Sequence, residues 1–459
     1  MATFQAPLTD DEFTSAVELL RRIIPEDDFA AYSLEVSPAT VYTTLVTLWM
    51  LTLQRLGGGK SMTAIIKDVL TYNRDLLPDN KRVREGTLSE SSGAYSEARK
   101  RLPIETVRAF AERVSQSLID QSPTSFAGRR TFIIDGTTVT LSPTSSLRDA
   151  YPPATNQHGE TVWPVLMLMV AHELRSGCAL IPEFGAMYGP DNTSEARQAA
   201  AIGRRIPTGS LILADAGFGI FSVAHSLVQS GHDILLRLTK SRFKSLHRQA
   251  ERIDQTGHGF QYRLTWVPSP KNRQRNRDLP ADASLQVYLH EVKLENGESL
   301  YLVTTLEVPS ETAAEFYGYR YDVEHDIRDM KVSLGIENIR AKSDEMVQKE
   351  LLCSLVAYNL VVELRREAAK VAKVKPRRLS FTRVWTTMQV YLLQQPPCSA
   401  PEWLERYERA VRSAANTKLP IRSGRNYPRQ AHPRRAKSTK FMQQTSNAKG
   451  KKTPKEIPK

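Results

Sequence analysis

The apolar positions of this 459-residue chain change their period twice. Up to about residue 125 they recur three and four apart. VYTTLVTLWMLTLQRL is apolar enough for a core helix, and SMTAIIKDVL and IETVRAFAERVSQSLI each carry one apolar face. The spacing predicts a helical N-terminal domain over residues 1–125. Near residue 130 the period shortens: RRTFIIDGTTVTLSP predicts two short strands around Asp135-Gly136, and TVWPVLMLMVAHEL, CALIPEFGAMYG, GSLILADAGF and DILLRLT add buried apolar or strand-like runs. SEARQAAAIGRRI and FSVAHSLVQSG supply helices between them, so 126–238 reads as an α/β layer with a partly parallel sheet. GFQYRLTWV, SLQVYLHEVKL and ESLYLVTTLEV then alternate apolar and polar positions, which predicts an all-β insertion over 239–309. Helical spacing returns over 310–412, with DEMVQKELLCSLVAYNLVVELRREAAKVAK as the longest helix. A tail over 413–459 closes the chain.

Charge changes the picture only at that tail. From Asn416 to Lys459 there are 13 Lys or Arg against one acid, Glu456, whereas the preceding residues carry 50 basic and 49 acidic side chains. The tail is poor in aliphatic residues and cannot repay its ordering entropy, so it is expected to be disordered. Its charge suits a polyanion or simply keeps the chain in solution. No run approaches 18 uncharged apolar residues, and MATFQAPLTDDEF lacks the basic start of a signal peptide, so a cytosolic chain without membrane contact is expected. Cys178, Cys353 and Cys398 lie far apart without metal-ligand spacing and read as reduced thiols. LGGGKS at Leu56 to Ser61 lacks the first glycine of a phosphate loop and follows a helix, which makes it a turn.

One stretch, YGYRYDVEHDIRDMK, is dense in charges of both signs. At 100° per residue, Tyr317, Arg320, Glu324 and Lys331 share one stripe about 60° wide. Phe316, Val323, Ile327, Met330 and Leu334 form the core-facing side, and Asp322, Asp326 and Asp329 fall on the side expected to meet water. Arg328 joins the basic rim. A surface helix with three- and four-residue ion pairs would interleave the same residue types. The α/β region adds Asp135, at the end of TFIID, and Asp215, at the end of LILAD, each followed within two residues by a glycine that lets the backbone turn away. With Glu324 they make a site of three carboxylates. Such a cluster repels itself unless cations bind, and oxygen ligands select Mg²⁺ or Mn²⁺. Two such ions suit in-line displacement at a phosphodiester, with Arg320 and Lys331 holding the phosphates.

Tyr317, Arg320, Glu324 and Lys331 resemble the Tyr-x2-Arg-x3-Glu-x6-Lys signature of bacterial DDE transposases of the insertion-sequence-four family. IDGTTVTL and LILADAGFGIFSVAHSLVQSGHDILLRLTK resemble that family's first and second aspartate blocks, and GAYSEARKRLPIETVRAF its N-terminal helical region. The resemblance spans roughly residues 40–365. It implies an RNase H-like core with Asp135, Asp215 and Glu324 as the metal-binding triad, and DNA contacts near the cleaved end from Tyr317, Arg320 and Lys331. It also implies an aromatic of the β insertion, here Trp266, that holds a flipped base or else belongs to the core. Ala216 departs from the family's usual arginine after the second aspartate. The implied activity is transposition: binding of the element's inverted-repeat ends in double-stranded DNA, cleavage, and strand transfer to target DNA by a homodimer at the nucleoid. The N-terminal helices would read the ends, with Arg99, Lys100 and Arg101 as candidate contacts. A catalytically silent DNA-binding relative and an RNase H-type nuclease without strand transfer are the alternatives.

Overall fold

The computed structural model describes residues 17–24, 39–157, 159–256, 259–295 and 297–420. The basic segment from residue 421 lies outside the described residues. Ten strands form one mixed sheet: β1 Thr131–Thr140, β2 Pro153–Asn156, β3 Gly159–Glu173, β4 Glu183–Ala186, β5 Leu211–Ala214, β6 Asp233–Arg237, β7 Glu251–Thr256, β8 Gly259–Trp266, β9 Leu285–Lys293 and β10 Ser299–Thr304. Their order is β2-β3-β1-β5-β6-β10-β9-β8-β7, with β4 on β3. The pairs β1–β5 and β5–β6 are parallel and the others antiparallel. The parallel strands are short runs of β-branched and aliphatic residues because both of their faces are covered. Ile133, Leu211, Leu213 and Leu235 point to one face, beneath Phe316, Tyr317 and Val323. Ile212, Ala214, Ile234 and Leu236 point to the other, with Ile202, Phe221 and Leu227 in the same core.

Two expectations change here. The Asp135-Gly136 pair does not turn the chain: β1 runs through it as a single ten-residue strand, and its ladder with β3 continues from Asp135↔Val170 to Thr140↔Val165. The β-branched TTVT that follows keeps the backbone extended. The β insertion, in turn, is an extension of the sheet, since β10 pairs with β6 and β9, β8 and β7 follow outward.

Outside the sheet, the helices Thr44–Leu56, Ile104–Asp120 and Ala400–Ala415 pack along Asp344–Ala372. That 29-residue helix is buried along the mostly apolar run 351–362, and its buried charges include Lys349, Glu350, Arg365 and Arg366. Ala400–Ala415 carries ordered helix past residue 413, so the expected tail starts later than its composition suggests. Gly57 to Lys60 form a turn between two helices, the second capped by Ser61. The three cysteines are buried. Among the described residues no helix is long and apolar enough to cross a membrane.

Candidate active site

The two aspartates meet through strand register. In the parallel β1–β5 pair Ile133 stands beside Leu213, and Asp135 and Asp215 each lie two residues farther on. Alternation therefore turns both acids to the face covered by Phe316 and Val323. β5 ends at Ala214 while β1 and β3 continue, which opens the sheet where the acids stand. Gly136 N–H donates to Asp135 Oδ1 at 2.9 Å, and Gly217 N–H to Asp215 Oδ1 at 2.8 Å. Burial raises the Asp135 carboxyl to about 6; the Gly136 N–H and Arg320 oppose that rise, and the charges of Asp215 and Glu195 add to it.

Glu195 is the site acid that pattern reading did not single out. It opens the helix Glu195–Gly203, whose N-terminus is capped by Ser194 Oγ accepting from Arg197 N–H at 3.3 Å. Its Oε1 lies 2.7 Å from where a Cβ on Gly136 would stand, and its Oε2 3.8 Å from the same point on Gly217. The glycines after the two aspartates thus leave room for this third carboxylate. An acid one residue after a capping serine ordinarily serves the helix dipole, so its spacing alone signals nothing more. The arginine missing at Ala216 has a neighbour: Arg242 donates to the Ala216 carbonyl.

The charged stretch is not one regular helix. It passes from α (Ser310–Tyr317) to 3₁₀ (Gly318–Tyr321), back to α (Asp322–Arg328), and into a π-turn at Asp329–Ser333. Arg320, largely buried, links the two parts of the site. Its Nη2 donates to Glu324 Oε1 at 2.7 Å and its Nη1 lies 4.0 Å from Asp135 Oδ2. Lys331 Nζ donates to Thr137 Oγ1 at 3.1 Å and Thr138 O at 2.9 Å, just beyond Asp135 on β1. Arg328 is exposed and has no ion-pair partner among the described residues. Tyr317 is buried, with its hydroxyl covered and lacking a hydrogen-bond partner among the described residues.

Two expectations are corrected by burial, those for the aspartates of the charged stretch and for Arg99. Asp326 and Asp329 do not face water: Asp326 is 0% exposed against Arg377 and His172, and Asp329 lies 3.8 Å from Arg365. The 3₁₀ and π turns change the rotation per residue, and residues from later in the chain cover the aspartate side. Trp266, read as either a base-holding aromatic or a core residue, is buried, with its ring 5.5 Å from that of Phe221 in a T-shaped pair. Arg99 is buried in an ion pair with Glu350 at 2.8 Å, whereas Lys100 and Arg101 remain exposed.

The arrangement gathers the carboxylates of Asp135, Asp215 and Glu195, with Arg320 joining Asp135 to Glu324. Among the described residues no group of three His, Cys, Asp or Glu side chains is placed to hold a metal ion, and Glu324 is paired with Arg320. The Transposase DDE domain family matches residues 126–360. The chain is 25% identical over 348 residues to the transposase InsG of insertion sequence element IS4 from Escherichia coli (strain K12), covering 73% of this chain and 75% of the relative. The piggyBac transposase synaptic complex with hairpin DNA aligns at a TM-score of 0.43 with 9% identity, over 86% of this chain and 85% of that one. The chain belongs to the DDE transposase family, and its similarity lies with the IS4 type.

Proposed function

We propose that the protein binds the inverted-repeat ends of an insertion sequence in double-stranded DNA, cuts a phosphodiester there, and joins the freed 3′-hydroxyl to target DNA as a homodimer. The observation that carries this reading is the line Asp215, Asp135, Arg320, Glu324. Two strand-borne acids stand side by side, and a guanidinium ties the nearer one to the helix-borne acid. Two acids at the opened end of a mixed sheet with apolar cover on both faces also support the RNase H-like core.

The donors fit a hard divalent cation. They are oxygens only, and Asp135 is raised first by burial and then by the neighbouring charges of Asp215 and Glu195. Asp135, Asp215 and Glu324 are the residues that would hold Mg²⁺ or Mn²⁺, whose chemistry here is activation of the attacking oxygen and stabilisation of the leaving one. Arg320 presents a planar fork that suits a phosphate as well as it suits Glu324. Lys331, fixed on β1 by Thr137 and Thr138, places a point charge beside the acids, and Arg328 extends the cationic rim. Tyr317, expected to contact DNA, is 3% exposed and presents almost no surface to it. Lys100 and Arg101 offer the N-terminal helices a backbone contact to the element end.

A strand-transfer assay with labelled element ends and Mg²⁺ tests the reading. Joined products support it. Cleavage without joining points to a nuclease, and a mobility shift without cleavage points to a silent DNA-binding relative.

A further inference from the structure

The helical segment that carries Arg320 and Glu324 has a second working face. Phe316, Tyr319 and Asp322 on it line a cavity of about 760 Å³. The opposite wall is the last turn of the helix Asp344–Ala372 with the residues after it, and the turn after β3 contributes Arg175. Its cations divide into two groups. Arg377 and Arg366 are committed to Asp326 and Glu363, and Lys370 to Glu367. Arg175, Lys373 and Lys375 are exposed and have no ion-pair partner among the described residues. Lys375 donates to the Tyr319 hydroxyl at 3.1 Å, with Nζ 4.8 Å from the ring centre. Asp322, the one acid among the described lining residues, is already 3.7 Å from Arg377.

Lys373 strengthens the case. It ends its helix at φ 51°, in the left-handed region where glycine or asparagine is the usual occupant. A lysine held there against backbone preference keeps a charge at the lip of the cavity.

We propose that this cavity is a second anchoring site for the DNA backbone, taking phosphates of the strand that runs on from the acids. The inference rests on the DNA-processing reading above. A helix is about 10–12 Å across with its side chains, and duplex DNA advances about 3.4 Å per step along each strand. A strand leaving Arg320 therefore reaches the cavity about three steps later. Two lysines as mobile point charges and one guanidinium fork match a phosphodiester backbone. The apolar floor of Leu174, Phe316 and Pro123 gives a sugar something to lie against.

The test compares the full-length protein with the triple variant Arg175→Gln, Lys373→Asn, Lys375→Gln, measuring affinity for an element-end duplex over a series of salt concentrations. The variant is expected to lose affinity on the order of tenfold, and its log–log salt slope to fall by roughly three, about one for each lost phosphate contact. Its cleavage rate at saturating DNA should be unchanged. Lys373→Asn alone suits the left-handed backbone and should account for about one unit of slope, and the thermal midpoint shows that both variants are folded. Unchanged affinity and slope in folded variants overturn the inference. So does a cavity that takes inorganic phosphate or pyrophosphate while neither anion competes with DNA. A wild-type protein that binds no end DNA sinks the functional reading instead.

Discussion

Arg377 holds Asp326 by donating from Nε at 3.2 Å to both carboxylate oxygens and from Nη2 to Oδ2 at 2.6 Å, with Asp326 fully buried. Burial by itself would raise this carboxyl, yet Arg377, assisted by His172 and Arg365, keeps it below its ordinary value. The pair fastens the helix that bears Glu324 to the end of β3, because Arg377 also donates to the Leu174 carbonyl. Asp326→Asn should therefore lower stability by roughly 3–5 kcal/mol, the scale for a buried ion pair left with one charge. Its contribution is present above the ordinary carboxylate range and is lost as pH falls through the lowered value. Chemical denaturation at pH 7 checks this. A change under 1 kcal/mol would contradict the burial described here.

Gly136 and Gly219 separate a site effect from a fold effect. A Cβ on Gly219 would stand 2.2 Å from the Arg237 carbonyl oxygen, a backbone atom that cannot step aside. Gly219→Ala should cost about 3 kcal/mol or more. The Cβ of Gly136→Ala would meet Glu195 Oε1 at 2.7 Å, the far end of a flexible side chain. That substitution should change stability by about 1 kcal/mol or less, while displacing Glu195 and lowering cleavage by about tenfold to a hundredfold. Thermal midpoints and single-turnover cleavage of both variants decide it.

Much of this was legible in the chain itself, and the failures have physical causes. The apolar runs ending in Asp135 and Asp215 and the long helix at Asp344–Ala372 rest on local periodicity, which folding preserves, whereas the spacing from Tyr317 to Lys331 is broken by 3₁₀ and π turns. Asp326 was misplaced because its partner Arg377 lies 51 residues later. Local spacing assigns a face but does not say what covers it. An Asp-Gly pair ordinarily marks a turn, yet at Asp135-Gly136 the ladder with β3 outweighs local preference. Glu195 was hidden behind an ordinary helix start. The segment 239–309, expected to be all β, also holds the helices Lys240–His247 and Pro270–Arg275, and the union of its strands with the main sheet depends on β10 pairing with β6, about 65 residues apart in sequence.

The acids give a sharper contrast. Asp135→Asn, Asp215→Asn and Glu324→Gln should each reduce cleavage to background while leaving end binding intact, because each keeps its shape and loses only its charge. Arg320→Lys should also impair cleavage, since a point charge cannot span Glu324 at 2.7 Å and Asp135 at 4.0 Å as a fork does. Mn²⁺ titration followed by calorimetry separates the two classes: the acid variants should lose metal affinity, and Arg320→Lys should not. Full cleavage by any one of the three acid variants removes that residue from the triad.

The extended part of the sheet carries its own pH dependence. His290 on β9 is 0% exposed; its Nδ1 shares a hydrogen bond with Ser310 Oγ at 3.0 Å, and its Nε2 has no partner among the described residues. Burial pushes it down to about 4, with Glu311 opposing. Between the ordinary histidine value of about 6.5 and this lowered one, the unfolded chain takes up a proton that the folded chain refuses. Stability is therefore fully present above about 6.5 and falls as pH drops toward 4, by roughly 2–3 kcal/mol at pH 4.5. His172, also buried and lowered by its surroundings, adds a loss of the same sign. The difference between wild type and His290→Gln isolates one of the two, because glutamine can keep the bond to Ser310 without titrating. Denaturant midpoints at pH 7.5 and 4.5 should converge for the variant by about that amount; an unchanged gap would mean that His290 accepts its proton in the folded state.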